Sequence, residues 1–153
     1  MGKREILEEY MSSKDMDYKY FEYEESIHTV EDTVRVAKIT AQEVTKSMIF
    51  EDNDGNAIRA IVLASDRVST KRLRKALDIE SVSLMESDDV LKRTNYPPGG
   101  MPCFGYEAIT VVDPKVMERE KVYTGGGTTQ SLMLVSSEDI LKDTKAVIAR
   151  IRK

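Results

Sequence analysis

Residues 44–64 read VTKSMIFEDNDGNAIRAIVLA and contain the clearest strand pair of the chain. It contains two largely apolar runs, at 44–51 and 57–64, separated by the tetrapeptide NDGN at 53–56. An Asp-Gly pair tolerates the positive φ angles that a tight turn requires. The stretch therefore predicts two antiparallel strands joined by a hairpin turn.

Lys46 is the unusual residue of the first strand. Every second residue of a strand lies on the same face, so Lys46 shares a face with Val44, Met48 and Phe50. Burial of an unpaired ammonium is costly, and a lysine in such a place can serve as an anion clamp or as a base with a shifted pKa. The alternative is a lysine whose stem packs on the core while its ammonium reaches water.

Shorter elements surround the hairpin. Further strands are predicted at 18–27, 82–85, 106–112, 121–124 and 131–135. Helices are predicted at 3–12, 30–38, 69–77, 87–93 and 136–143, and the last residues, 146–151, also look helical. Thr29 and Ser69 are the expected N-caps of the second and third helices. Strands and helices do not alternate strictly, which favours an α+β fold with a mixed or mostly antiparallel sheet.

Length and residue counts narrow the possible functions. The chain has 153 residues, 41% of them hydrophobic, with no linker, so residues 1–153 are predicted to form one domain. One cysteine, Cys103, and one histidine, His28, are too few for a zinc site built from His and Cys alone. A Ser-His-Asp or Cys-His catalytic device would have to use His28, whose place before a helix is more typical of a capping or packing residue. We expect no metal and no cofactor.

The chain also lacks the signals of membrane insertion or secretion. No apolar run reaches the roughly 18–20 residues of a membrane span, and the N-terminal residues are charged throughout. A single unpaired cysteine fits a reducing compartment. We therefore expect a cytoplasmic protein with no membrane partner; its oligomeric state is left open.

Two glycine-rich loops could bind a ligand. They read YPPGGMPCFG at 96–105 and TGGG at 124–127. Glycines let backbone N–H groups approach a ligand closely, and prolines hold a loop in shape. Neither loop matches a P-loop or a dinucleotide fingerprint, so structural turns are the alternative.

The net charge of −4 hides two basic segments, at 67–77 and 142–153. Residues 67–77 carry Arg67, Lys71, Arg72, Arg74 and Lys75 with no acidic residue among them. Such a run is typical either of a solvated helix face or of contacts with phosphate groups. No aromatic residue is interleaved with the basic ones, which argues against a platform that stacks single-stranded bases.

Four segments together resemble the YbaK/prolyl-tRNA-synthetase-associated domain family. They are His28 with the following helix, TKSMIF at 45–50, ASDRVSTKRLRKAL at 64–77, and the two glycine-rich loops. The resemblance implies a single compact α+β domain with a mixed, mostly antiparallel, barrel-like sheet flanked by helices. It also implies an enzyme that hydrolyses the ester bond of a mischarged aminoacyl-tRNA, such as alanine or cysteine on tRNA for proline.

The resemblance assigns roles to particular residues. Lys46, followed by Ser47, matches the family's critical lysine, which would hold the terminal adenosine's phosphate or neighbouring oxygens while water attacks the ester. The implied substrate-binding residues are Tyr23, His28, Ser47, Gly99, Gly100, Gly125, Gly126 and Gly127. The implied tRNA-binding residues are Lys71, Arg72, Arg74 and Lys75. The implied partner is the 3′ end of a mischarged tRNA, and whether a synthetase is also a partner is left open.

The sequence departs from the family at two positions. Cys103 stands where many relatives have proline, and Leu132 stands where cysteine-specific members carry aspartate. The second departure puts specificity for cysteine in doubt and leaves alanine or another small amino acid equally open. Two rival functions are a non-catalytic module that binds tRNA ends or a synthetase, and an adenosine-nucleotide-binding protein.

Overall fold

The predicted hairpin lies at the centre of the structure, a computed structural model that describes residues 2–153. β2 (Thr45–Asp52) and β3 (Ala57–Leu63) pair antiparallel, with Lys46 opposite Val62. Gly55 in the connecting turn has a φ of 81°, which glycine adopts without a steric penalty. Every residue of β3 is buried, so this strand runs through the core.

The hairpin is the middle of a five-stranded mixed sheet. Its other strands are β4 (Val82–Leu84), β5 (Ile109–Val112) and β8 (Val147–Ile148). The strand order is β4-β2-β3-β5-β8; β2 pairs antiparallel with β3 and β4, whereas β5 pairs parallel with β3 and β8.

A three-stranded antiparallel sheet packs beside it. It consists of β1 (Tyr18–Glu22), β6 (Lys121–Gly125) and β7 (Ser131–Ser136), in the order β1-β7-β6. The two sheets meet where a β-bridge joins Val44 to Tyr123, whose amide also donates to the Glu43 carbonyl at 2.9 Å. The predicted α+β fold with a mixed, mostly antiparallel, barrel-like sheet is thus confirmed.

Six α-helices formed by residues 2–153 flank the sheets. They are α1 (Lys3–Ser13), α2 (Val30–Ala37), α3 (Thr70–Leu77), α4 (Ser87–Thr94), α5 (Pro114–Met117) and α6 (Ser137–Thr144). Both predicted N-caps are confirmed, because the Thr29 hydroxyl accepts from the Asp32 amide at 3.0 Å and the Ser69 hydroxyl accepts from the Arg72 amide at 3.2 Å. Among residues 2–153, no helix has the length and apolar character needed to cross a membrane.

Helix α3 covers one face of the five-stranded sheet. Leu73 is fully buried against a cluster that includes Phe50, Ile58 and Val62. Met48 packs against the same cluster. Since Lys46 is in phase with Met48 and Phe50 along β2, Lys46 and α3 lie on the same face of this sheet.

The prediction of a helix at 146–151 is wrong. Val147 and Ile148 form the edge strand β8, which pairs parallel with β5. The following residues are held by the buried carboxylate of Asp113, which accepts from the amides of Ile151 and Arg152 at 3.0 and 3.1 Å. These are tertiary contacts, and a local apolar pattern does not reveal them.

Two predicted strands are shorter than expected. β1 ends at Glu22 rather than at residue 27, and the next residues bond to the segment that follows the second glycine-rich loop: the Tyr23 amide donates to the Gln130 carbonyl at 2.8 Å. β5 begins at Ile109 rather than at residue 106. Residues 103–106 form bends instead, and within them Gly105 has a φ of 91°.

Candidate active site

A cavity of about 200 Å³ opens beside Lys46, between β2, the start of α2 and both glycine-rich loops. Most of its wall is apolar and is contributed by Ile27, Val30, Val34, Val44, Met48, Met101 and Leu132. Lys46 and His28 are its titratable side chains, and no carboxylate from the described part of the chain lines it. The cavity therefore combines a small apolar chamber with a positive charge in the wall.

Lys46 lies half-buried in this wall. Burial lowers the pKa of Lys46, the positive charge of Arg67 lowers it further, and the negative charge of Asp66 opposes the shift. Within residues 2–153 the ammonium has no carboxylate within ion-pair distance. A partly desolvated cation without a counter-ion is suited to binding an anionic ligand group.

Backbone contacts join the two glycine-rich loops beside the cavity. The Gly127 amide donates to the Gly100 carbonyl at 2.9 Å. A Cβ atom at Gly100 would lie within 3.0 Å of the Thr128 backbone, and one at Gly125 would lie within 3.0 Å of the Met101 carbonyl oxygen. The contact between the loops therefore depends on the absence of side chains at both glycines.

We expect Gly100→Ala to destabilise the protein by about 1–3 kcal/mol, the usual cost of inserting a methyl group where the surroundings cannot move. Gly99→Ala is the matched control, because its Cβ would meet the side chain of His28, which is exposed and can turn away. Urea unfolding of both variants measures the difference. Equal stability of Gly100→Ala and the unmodified protein would contradict the role assigned to the loop contact.

The glycine amides differ in their availability to a ligand. The Gly100 amide donates to the Pro97 carbonyl at 2.9 Å, and the Gly126 amide donates to the Ser131 carbonyl at 3.2 Å. The Gly99 amide has no acceptor among residues 2–153, and Gly99 lines the cavity. Gly99 therefore carries an N–H group that can donate a hydrogen bond to the carbonyl oxygen of a ligand.

The structure brings five of the predicted substrate-binding and catalytic residues to one cavity. Those in its lining are His28, Lys46, Ser47, Gly99 and Gly125. Gly100 and Gly126 support the loops behind the wall, and Gly127 packs towards Leu7 and Tyr96. Tyr23 is also outside the lining; burial raises the pKa of Tyr23, and the neighbouring Tyr123 adds to the shift.

Cys103 is not part of the cavity wall. Its thiol is fully buried on the opposite face of β2 and contacts the hydroxyl groups of Thr45 at 3.2 Å, Ser47 at 3.5 Å and Thr124 at 3.0 Å. These contacts tie the loop at 96–105 to β2 and β6. A buried thiol outside the cavity is not placed to attack a substrate.

The predicted tRNA-binding residues lie on α3. Lys71, Arg72 and Lys75 line an open groove together with Ser69 and Lys153. Arg74 is not in the groove lining, and its guanidinium donates to the Glu80 carbonyl at 3.3 Å. The helix therefore directs its basic residues to different sides.

Sequence reasoning missed most of the apolar cavity wall. Val30 and Val34 look like ordinary core residues, and nothing in the sequence shows that they face a cavity; only the family resemblance singles out Leu132, as the position where cysteine-specific members carry aspartate. The basic segment at 67–77 begins with Arg67, but the sequence does not show that Arg67 is a neighbour of Lys46. The proximity of these two cations arises from the turn that follows β3, which a strand pattern does not specify.

Residues 24–142 match the family described as the aminoacyl-tRNA editing domain. The chain belongs to this family. The match includes the whole cavity lining and α3, so the resemblance implied by the four sequence segments is confirmed.

This editing-domain protein is also similar to part of a larger enzyme. It is 22% identical over 105 residues to the proline–tRNA ligase of Thermosipho africanus (strain TCF52B). The aligned region covers 69% of this chain but 18% of the ligase, so the chain spans only a small part of that relative's length.

Solved structures share its fold. A hypothetical protein superimposes with a TM-score of 0.89 and 24% identity, with 97% of this chain and 99% of that one covered. A proposed trans-editing enzyme for prolyl-tRNA synthetase superimposes with a TM-score of 0.88 and 17% identity, with 100% and 98% covered. At these identities the likeness shows a common fold.

Proposed function

We propose that the protein is a trans-editing hydrolase that deacylates tRNA for proline carrying a small wrong amino acid, such as alanine or cysteine. One observation carries the proposal: half-buried Lys46, with no carboxylate of the described residues within ion-pair distance, shares a small apolar cavity with Gly99, whose amide has no acceptor among those residues. The family match and the similarity to part of a proline–tRNA ligase support the choice of substrate class.

In this mechanism Lys46 positions the substrate. Its ammonium binds the phosphate or a neighbouring oxygen of the terminal adenosine, which places the aminoacyl ester in the cavity. The Gly99 amide donates to the ester carbonyl oxygen, where negative charge develops as the carbonyl carbon becomes tetrahedral. Ser47 lies next to Lys46 in the lining, and His28 closes the cavity near Gly99.

Water is the nucleophile. Its oxygen forms a bond to the carbonyl carbon, the bond from that carbon to the ribose oxygen breaks, and a proton passes to the ribose oxygen. The free amino acid and the uncharged tRNA are the products. Since no carboxylate of the described residues lines the cavity, catalysis relies on positioning and on electrostatic stabilisation.

The cavity favours acyl groups with apolar side chains. Most of its wall offers methyl and thioether groups to the amino-acid side chain, and no carboxylate from the described part of the chain lines it. Leu132 contributes an apolar surface to this wall. The cavity thus suits the side chains of alanine and cysteine.

A deacylation time course with purified protein tests the proposal. We expect selective release from tRNA for proline charged with alanine or cysteine, and no release above buffer from the same tRNA charged with proline. Serine on this tRNA tests whether a polar side chain is also accepted. If the protein binds these tRNAs but releases none of the amino acids, the hydrolase is refuted in favour of a binding module. Tight binding of small adenosine ligands with indifference to tRNA would favour a nucleotide-binding protein.

A further inference from the structure

We propose that the free edge of β2 at Ser47 binds the aminoacyl group of the substrate through its backbone. The Ser47 carbonyl accepts a hydrogen bond from the α-ammonium group, and the Ser47 amide donates one to the carbonyl oxygen of the same amino acid. This inference rests on the proposed function for the identity of the ligand, but the free edge itself is defined by the structure alone.

The cavity lies along an edge of β2 rather than on one of its faces. Residues 44–48, which are consecutive, all contribute to its lining. Since successive side chains of a strand point to opposite faces, a cavity on one face would be lined by alternate residues only. The other edge of β2 is covered by β3, which pairs with residues 45–51. The cavity therefore faces the edge of β2 that points away from β3.

The neighbouring strands leave a gap at this edge. Before the gap, β6 reaches the edge through the Tyr123 amide, which donates to the Glu43 carbonyl at 2.9 Å. After the gap, the segment that follows β4 reaches it through the Met85 amide, which donates to the Ile49 carbonyl at 2.9 Å. Ser47 lies between these two contacts.

The backbone groups of Ser47 point into this gap. In an antiparallel pair, the N–H and C=O groups of successive residues point alternately towards the partner strand and away from it. The Val44 carbonyl accepts from the Ala64 amide, which directly follows β3, whereas the Ile49 carbonyl accepts from the Met85 amide on the opposite side. The alternation therefore directs both groups of Ser47 away from β3. Neither group has a backbone partner among residues 2–153.

Unpaired backbone groups in a buried residue indicate a place for a ligand. Ser47 is only 8% exposed, and buried N–H and C=O groups without a partner are rare because they cost free energy. The Ser47 hydroxyl is turned to the opposite face of β2, where it donates to the Cys103 thiol at 3.5 Å. The backbone of Ser47 is therefore the part that the gap leaves for a ligand.

An aminoacyl group carries the matching donor and acceptor. Two opposed residues of an antiparallel pair exchange N–H···O bonds in both directions, and a bound peptide can add to a free strand edge in the same way. The α-ammonium nitrogen and the carbonyl oxygen of an aminoacyl ester take the places of the N–H and C=O groups of such a residue. The carbonyl oxygen has two lone pairs, so it can also accept from the Gly99 amide. Since no carboxylate of the described residues lines the cavity, the Ser47 carbonyl supplies an acceptor for the ammonium group.

Amide hydrogen exchange, followed by NMR in isotopically labelled protein, tests the free edge itself. We expect the Ser47 amide to exchange about tenfold faster, or more, than the Lys46 and Met48 amides, which the alternation along β2 directs towards β3. Equal protection of the three amides would overturn the inference, because the Ser47 amide would then already be paired.

Three small amides with the same carbonyl group test the ligand. Alaninamide carries an α-ammonium group, lactamide carries a hydroxyl group in its place, and propionamide carries hydrogen. We expect alaninamide to shift the Ser47 amide resonance, to slow its exchange, and to bind about tenfold or more tightly than propionamide, because it adds a hydrogen bond from a charged donor. The Glu51 amide is the control resonance and should not shift, because Glu51 lies beyond the gap and is paired with β4.

The same comparison is made on the proposed substrate. Alanyl, lactyl and propionyl esters of tRNA for proline are hydrolysed under identical conditions, and each rate is divided by the rate of that ester in buffer, which removes differences in intrinsic reactivity. We expect the normalised kcat/KM of the alanyl ester to exceed that of the propionyl ester by about tenfold to a hundredfold.

Several results would overturn the inference. They are equal or absent binding of the three amides, a shift of the Glu51 resonance as large as that of Ser47, and equal normalised rates for the three esters. If alaninamide binds at Ser47 with the expected preference but no ester is hydrolysed faster than in buffer, the proposed function fails and the backbone site stands. If the alanyl ester is hydrolysed without any preference over the propionyl ester, the proposed function stands and the backbone site fails.

Discussion

Lys46→Ala is expected to lower kcat/KM for deacylation of the preferred mischarged tRNA by about 10²–10³-fold, the range seen when one preorganised electrostatic contact is removed from an active site. The loss arises because the ester is no longer held against the Gly99 amide. The measurement is a single-turnover deacylation time course with the variant and the unmodified protein side by side. Activity within a few-fold of the unmodified protein would refute the role of Lys46.

The fold should survive this substitution. Lys46 forms no ion pair within residues 2–153, and its burial disfavours the charged form. Replacing Lys46 therefore removes an unfavourable contribution to the free energy of folding. Lys46→Met, which keeps the apolar stem, is the matched control and should unfold at a urea concentration no lower than that of the unmodified protein. A large drop in stability would instead indicate a structural role.

The pH dependence separates an anion clamp from a base. Burial and Arg67 lower the pKa of Lys46 from its ordinary value of 10.5. A clamp works in the protonated state, so KM should rise as the pH rises through this lowered pKa, at a lower pH than for an exposed lysine. In Lys46→Arg the guanidinium remains protonated, and the alkaline rise in KM should disappear. If the rate increases with pH through the same range at constant KM, Lys46 acts as a base.

Asp113→Ala is expected to lower the free energy of unfolding by about 3–5 kcal/mol, because it leaves a partly buried cation and several backbone amides without their acceptor. The Asp113 carboxylate is fully buried, pairs with Arg152, and accepts from the amides of Lys115, Ile151 and Arg152. Urea unfolding at neutral pH measures the effect. A loss below about 1 kcal/mol would contradict it.

Arg152→Gln is the matched control for Asp113. It removes the guanidinium but leaves the three amides paired, so its effect should be well below that of Asp113→Ala. Although burial opposes ionisation, the amides and the guanidinium hold the pKa of Asp113 below its ordinary 3.8. Because the folded-state pKa is lower than the unfolded-state pKa, this stabilisation is fully present above pH 3.8 and is lost as the pH falls through the folded-state value. That loss should be absent in Asp113→Ala.

The parts of the fold that depend on local chemistry were predictable. The Asn-Asp-Gly turn gives the hairpin, and the hydroxyls of Thr29 and Ser69 begin the two helices that border the cavity and the groove. The period-two pattern of β2 places Lys46 on the face where it is found. In each case the signal lies within a few residues of the feature.

The parts that depend on distant contacts were not predictable. The apolar pattern at 146–151 is compatible with a helix and with a strand. These residues are extended because they pair with the edge of β5 and because the Asp113 carboxylate accepts from the Ile151 amide. The Gly100 and Gly126 amides are paired because they donate to the carbonyls of Pro97 and Ser131. The sequence of the glycine-rich loops does not reveal these acceptors. The family resemblance predicted which glycines belong to the site. The hydrogen bonds in the structure show that the Gly100 amide is paired and that the Gly99 amide has no acceptor among residues 2–153.

The interlocked glycine loops have a consequence for substrate selection. A wall held by backbone contacts between Gly100, Gly125 and Thr128 loses little conformational entropy when a substrate arrives, because it is already ordered. It also cannot widen for a longer acyl chain without breaking those contacts. Under the proposed function, we therefore expect this cavity to discriminate between amino acids by steric exclusion rather than by a closing movement of the protein.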